Sequence, residues 1–149
     1  YEYIRASASM PMVSNIVEVG GRKLLDGGVT DSIPLRFFQQ QGYERNLVIL
    51  TQPADYQKQH NRLMPILRLW RHRYPKMIEA LDKRHEMYNQ QLEYVREEER
   101  KGNTYVIRPP EKLVIGHISH DENEMQGVYQ MGRRVGEGRL KDIVEFLEK

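Results

Sequence analysis

The sequence predicts an α/β protein, and three observations carry that prediction. The β-branched run "IVEV", Ile16 to Val19, meets Gly20 and Gly21 and then "RKLL", which is the pattern of a hairpin with a two-residue turn. "RNLVILTQP", Arg45 to Pro53, places four apolar residues in a row between polar ends, as in a strand buried on both faces of a sheet. Between them, "SIPLRFFQQQG" opens near Pro34 and closes at Gly42, as a helix does. Strand, helix and strand in that order predict a layered fold with a partly parallel sheet.

The middle of the chain differs in kind. Tyr74, Ile78, Leu81, His85, Tyr88, Leu92 and Val95 recur at steps of four and three with charged residues between them, which predicts one face of a long amphipathic helix. Gly102 and Asn103 end it. A shorter helix from about Pro65 to Arg73 precedes it and breaks before Pro75, so the pair forms a helical excursion from the sheet. "TYVIRPP" is a further strand stopped by two prolines, and "KLVIGHI" is a candidate for another. Asp121 to Glu124 reads as a capping box that opens a helix toward Arg134, and "LKDIVEFLEK" reads as a separate last helix. The resulting division is 1–60, 61–103 and 104–149.

With 149 residues the chain is long enough to bury a core without staples. It contains no cysteine, which excludes disulfides, thiolate metal sites and a cysteine nucleophile, and permits a reducing, cytoplasmic compartment. No apolar run is long enough for a spanning helix, while contact with a membrane surface stays open. The net charge is +2, from 23 Lys and Arg against 21 Asp and Glu that interleave along the chain, so nucleic acid is not an expected partner. The most basic aromatic cluster is "RLWRHRY", Arg68 to Tyr74, read as the outer face of a helix with Trp70 packed inward. The opening "YEYIRASASMP" has neither an initiator methionine nor a leader, so the chain is expected to begin inside a structured unit.

Several chemistries fall away on inspection. None of Ser7, Ser9, Ser14, Ser32 or Ser119 has glycine both two before and two after it, so no nucleophile elbow is present. "GEGRLK" lacks the third glycine of a dinucleotide fingerprint and reads as a turn between helices. His117, His120 and Asp121 invite a metal ion, but spacing supplies no third ligand, so no metal is expected. "HEMYN" lacks the second histidine of a zinc protease, which leaves His85 a helix-face residue.

Asp26 in "KLLDGGVTDSIPL" remains. Taken alone, Asp-Gly-Gly is a common turn, because Asp tolerates turn conformations and Gly permits positive φ. The whole phrase "RASASMPMVSNIVEVGGRKLLDGGVTDSIPL" resembles the second catalytic block of the patatin-like phospholipase family. The matching residues are Arg5, Ala6, Ser7, Ala8, Ser9 and Pro11, then Asp26, Gly27 and Gly28, then Asp31, Ile33 and Pro34. "YNQQLEYV", "YVIRPPEKL" and "GVYQMGRR" look, more loosely, like the C-terminal region of a bacterial subgroup of that family.

The resemblance implies a fragment of a three-layer α/β fold and a lipid acyl hydrolase that uses serine and aspartate without histidine. It selects Asp26 over Asp31 as the base, Asp31 being expected to serve the amides at the start of the following helix. Gly27 and Gly28 would let the backbone turn sharply and let a serine loop or acyl ester approach. Leu24, Leu25 and Val29 would be the apolar neighbours of the carboxylate. The substrate would be a lipid or acyl ester, with no cofactor. The family's Gly-x-Ser-x-Gly elbow and oxyanion loop precede this block, so these 149 residues alone are expected to be inactive. The competing reading is a non-catalytic domain that binds a protein or an anionic membrane through the long helix and the basic cluster, with binding lost on charge removal at Arg68, Arg71 and Arg73.

Overall fold

The computed structural model describes residues 1–11, 13–116 and 119–148. The chain divides into two units, Tyr1–Pro34 with Lys58–Leu92 and Leu35–Gln57 with Glu93–Lys149. Among the described residues the secondary structure is mixed α and β, with two small sheets and two helices of 27 residues. No helix among the described residues is long and apolar enough to cross a membrane.

In the first unit, α1 (Glu2–Ser7) precedes the antiparallel hairpin of β1 (Val17–Val19) and β2 (Arg22–Leu24). Gly20 and Gly21 form its turn with φ of 56° and 74°, the doubly left-handed geometry that matches strand twist and that side chains resist. A single 3-10 turn, Gly27–Val29, follows the second strand. Helix α3 (Met64–Leu67), with a proline in its first turn, tightens into a 3-10 turn at Arg68–Trp70 before α4 (Pro75–Lys101) begins. Met64, Leu67 and Ile78 form a buried cluster flanked by Met77 and Leu81. Each such buried side chain contributes roughly 1.5–3 kcal/mol relative to exposure.

Trp70 departs from expectation. It is 46 % exposed, because Met64 and Leu67 fill the inward positions and Trp70 lies at the segment's last residue, where its carbonyl accepts the Arg73 and Tyr74 N–H groups as the chain turns.

Helix α4 gives its residues through Leu92 to the first unit and the remainder to the second. On the expected face Ile78, Leu92 and Val95 are buried, while Tyr74, Leu81, His85 and Tyr88 are half-buried. The helix runs past Val95 and stops at Gly102, whose φ is 78°.

In the second unit, α2 (Leu35–Gln40) ends before Gly42 at φ 91°. Strand β3 (Asn46–Ile49) pairs in parallel with β4 (Thr104–Ile107), Asn46 opposite Thr104 and Ile49 opposite Ile107. The parallel partner of β3 is thus β4, reached through α3 and α4, and not a hairpin strand. Burial along β3 alternates, with Leu47 39 % and Ile49 69 % exposed, so the strand is not covered on both faces. The sheet consists of this one strand pair, and Leu47 and Ile49 stand on its more exposed side.

Helix α5 (Glu122–Glu148) is one continuous helix that runs through "GEGRLK", which is therefore not an inter-helix turn. Gly136 and Gly138 have no positive φ and are accommodated as helix-interior residues, at a propensity cost of about 1 kcal/mol each. Asp121 Oδ1 caps the helix by accepting the N–H groups of Asn123 at 2.8 Å and Glu124 at 3.1 Å. The reciprocal half of the box is replaced: the Asp121 N–H donates to Ser119 Oγ, and the Ser119 hydroxyl donates to the Glu124 carboxylate. Residues 112–116 form no strand, and the rest of "KLVIGHI", including His117, lies outside the described residues.

Candidate functional site

The site is the turn after β2. Its floor is α1, whose end carries the Arg-Ala-Ser segment: Ala6 and Ser9 are buried, and the Ser9 hydroxyl donates to the Arg5 carbonyl at 2.8 Å. The Ser9 carbonyl accepts the Asp26 N–H at 2.9 Å, so the two halves of the phrase read in the sequence meet directly. This bond fixes the start of the turn. Asp26 sits at φ −50° and ψ 124°, outside helical space, and its Oδ1 accepts the Gly28 N–H at 2.7 Å. Its own carbonyl accepts the Val29 N–H at 3.2 Å.

Neither Gly27 nor Gly28 has positive φ, so the sharp turn expected of them does not require glycine. Approach distinguishes the two. A Cβ at Gly28 would lie 3.1 Å from Asp26 Oδ1, whereas one at Gly27 would meet nothing within 4 Å. Gly28 therefore leaves room for the carboxylate, and Gly27 leaves an open face beside it.

From above, α4 clamps the turn. Arg84 Nε donates to the Gly28 carbonyl at 2.7 Å, an oxygen that also accepts the Ser32 hydroxyl at 2.6 Å. Seven residues on, Gln91 donates from Nε2 to Asp31 Oδ1 at 2.6 Å and accepts the Ile33 N–H at 3.1 Å. Asp31 is thus engaged by a side chain of α4, and the expectation that it serves the amides of the following helix is not met. Residues seven apart on a helix share a face, and sequence reading missed this pair because both lie one position before His85 and Leu92, two members of the stripe that defined the helix face. Arg84 also acts on Lys58, whose ammonium is held below its ordinary pKa first by burial and then by that guanidinium.

Asp26 is half-buried, and of its expected apolar neighbours Val29 is buried while Leu24 and Leu25 are half-buried. Among the described residues no donor reaches Asp26 Oδ2, and the hydroxyls of Ser9 and Ser32 are both given to main-chain carbonyls. The turn thus holds one carboxylate oxygen and leaves the other available. A cavity of about 460 Å³ opens beside Leu25, lined in part by Pro11, Val13, Ile16, Trp70 and Met77. Among the described residues no group of three or more His, Asp or Glu is placed to hold a metal ion.

The geometry is that of an α/β unit with an Asp-Gly-Gly turn seated on an Arg-Ala-Ser helix end, and residues 1–38 match the model of the family described as patatin-like phospholipase. Residues 74–148, half of the chain, match the model described as a domain of unknown function, DUF6363, and the chain belongs to that family. "YNQQLEYV", "YVIRPPEKL" and "GVYQMGRR" fall within this second match and not within the first. Arg84 and Gln91 also lie in the second match, while the turn they hold lies in the first. No curated protein and no solved structure matches the chain.

Proposed function

We propose that this chain supplies the catalytic aspartate, Asp26, of a serine–aspartate lipid acyl hydrolase whose nucleophile and oxyanion donors lie outside these residues. The observation that carries the reading is the seating of Asp26: one carboxylate oxygen is bound by Gly28 and no donor among the described residues reaches the other, within the stretch that matches the patatin-like model. A base must sit within hydrogen-bond reach of the hydroxyl it deprotonates, and a rigidly held carboxylate with one open oxygen suits direct transfer from serine.

In this mechanism the serine Oγ attacks the ester carbonyl carbon as its proton passes to the open oxygen of Asp26. Collapse of the tetrahedral intermediate breaks the C–O bond to the alcohol, which leaves with that proton. Water then repeats the sequence on the acyl-enzyme, giving the acid and free serine. Gly27, with open space where a Cβ would stand, admits the acyl ester or the serine loop. The 149 residues alone would be inactive.

The test is Asp26→Asn in a longer protein that contains the nucleophile, assayed on short acyl esters. Loss of roughly 10²–10⁴-fold in kcat is expected for removal of a general base, with Asp31→Asn retaining activity. Undiminished hydrolysis by Asp26→Asn would sink the assignment.

A further inference from the structure

We propose that the segment from Leu63 to Tyr74 is an interfacial anchor that docks this protein on an anionic lipid bilayer. Met64 and Leu67 turn inward to the buried cluster, yet the same short segment exposes Leu63 at 59 %, Ile66 at 62 %, Leu69 at 70 % and Trp70 at 46 %. Their spacing of three and four gives a second, outward apolar stripe instead of scattered side chains. A contiguous exposed stripe of four large apolar residues is the mark of an interaction surface.

Charge selects the occupant. Arg71 and Arg73 follow the stripe, Arg68 within it is itself paired with Asp82 at 3.0 Å, and the carboxylates of α4 beside these arginines already have partners, Asp82 also with His60 at 2.8 Å and Glu79 with Lys83 at 2.9 Å. Arg73 has no carboxylate partner among the described residues, and its guanidinium lies 5.7 Å from the Tyr74 ring centroid. Exposed leucine, isoleucine and tryptophan flanked by arginine is the composition that rests at a headgroup boundary, with rings and aliphatic chains among acyl tails and guanidinium groups at phosphates. Trp70 also lines the cavity beside Leu25, so docking by this stripe brings the rim of that cavity to the lipid surface. That last point rests on the acyl hydrolase reading, whereas the docking itself does not.

Trp70 is the chain's one tryptophan, which makes it a built-in reporter. The measurement is its emission when the chain is mixed with vesicles of phosphatidylcholine alone or of phosphatidylcholine with phosphatidylglycerol. A blue shift with the anionic vesicles, quenching by brominated acyl chains and reversal at high salt are expected. Arg71→Gln and Arg73→Gln should each weaken partition about fivefold, and Leu69→Ser should remove the shift, with circular dichroism confirming the fold of each variant. No shift on anionic vesicles, or equal partition to neutral ones, overturns the proposal. Asp26→Asn should bind vesicles like the parent, so failure of the anchor and failure of the catalytic assignment are read separately.

Discussion

Arg84 Nε lies 2.7 Å from the carbonyl oxygen of Gly28, and this bond joins the family domain shared by the second half of the chain to the turn that carries Asp26. A guanidinium on a helix of 27 residues is a rigid support, because its position is set by the packing of Ile78 and Leu92 on the same helix. The long helix is therefore part of the site's scaffold.

Arg84→Ala should lower stability by about 1–3 kcal/mol, the range for losing a hydrogen bond from a charged donor at a half-buried carbonyl. Arg84→Lys should recover only part of this, since an ammonium presents a point donor where the guanidinium offers a fixed fork. Denaturant unfolding of the three proteins checks the order. Under the proposed function, kcat of the longer protein should fall in the same order with little change in KM, because Arg84 positions the turn and does not touch substrate.

The two site glycines should behave differently. Gly28→Ala forces a methyl to 3.1 Å from Asp26 Oδ1, and about 1–3 kcal/mol of overpacking cost is expected. Gly27→Ala meets open space at unstrained φ and should leave stability unchanged or raise it by up to about 1 kcal/mol. If an acyl ester approaches that open face, Gly27→Ala should still lower activity in the longer protein. Thermal melts and ester hydrolysis together separate the two effects.

Glu98 supplies a pH-dependent contribution in the second unit. It is only 5 % exposed and accepts hydrogen bonds from Gln39 at 2.8 Å, Lys101 at 2.9 Å and Asn103 at 3.1 Å. The Lys101 bond first, and then that of Asn103, hold its carboxyl below the ordinary value of 4.5. A depressed carboxylate stabilises the fold above its unfolded pKa and loses that contribution as pH falls through its folded one. The stability difference between the parent and Glu98→Gln should therefore be full at pH 7 and should shrink below pH 4.5. Urea unfolding across that range measures it.

Gly136→Ala and Gly138→Ala should stabilise α5. Both sites are helical, lack positive φ and leave a Cβ in open space, so each alanine should add about 0.5–1 kcal/mol by helix propensity and reduced unfolded-chain entropy. A rise in Tm for each single variant, and a larger one for the pair, is the expected result.

What the sequence determined by itself was everything governed by a few neighbouring residues. Gly20 and Gly21 dictate the hairpin because only left-handed turns match strand twist, and Gly42 and Gly102 stop their helices for the same conformational reason. The three-to-four spacing from Tyr74 to Val95 dictates α4, since that period puts apolar groups on one side. Asp26 could be singled out, but only its phrase and not its surroundings was visible.

Tertiary structure alone decided the rest. Arg84 and Gly28 stand 56 residues apart and Gln91 and Asp31 stand 60 apart, separations at which no local preference couples two side chains. The choice of β4 as the partner of β3 and the exposure of Trp70 are likewise outcomes of which surfaces the packing covers. The continuity of α5 through its glycines shows the same balance: the helix, in contact with β4, runs on despite a local preference of about 1 kcal/mol per glycine against it. Local chemistry writes the elements, and the distribution of buried and hydrogen-bonded surface between distant residues determines which of them meet to build a site.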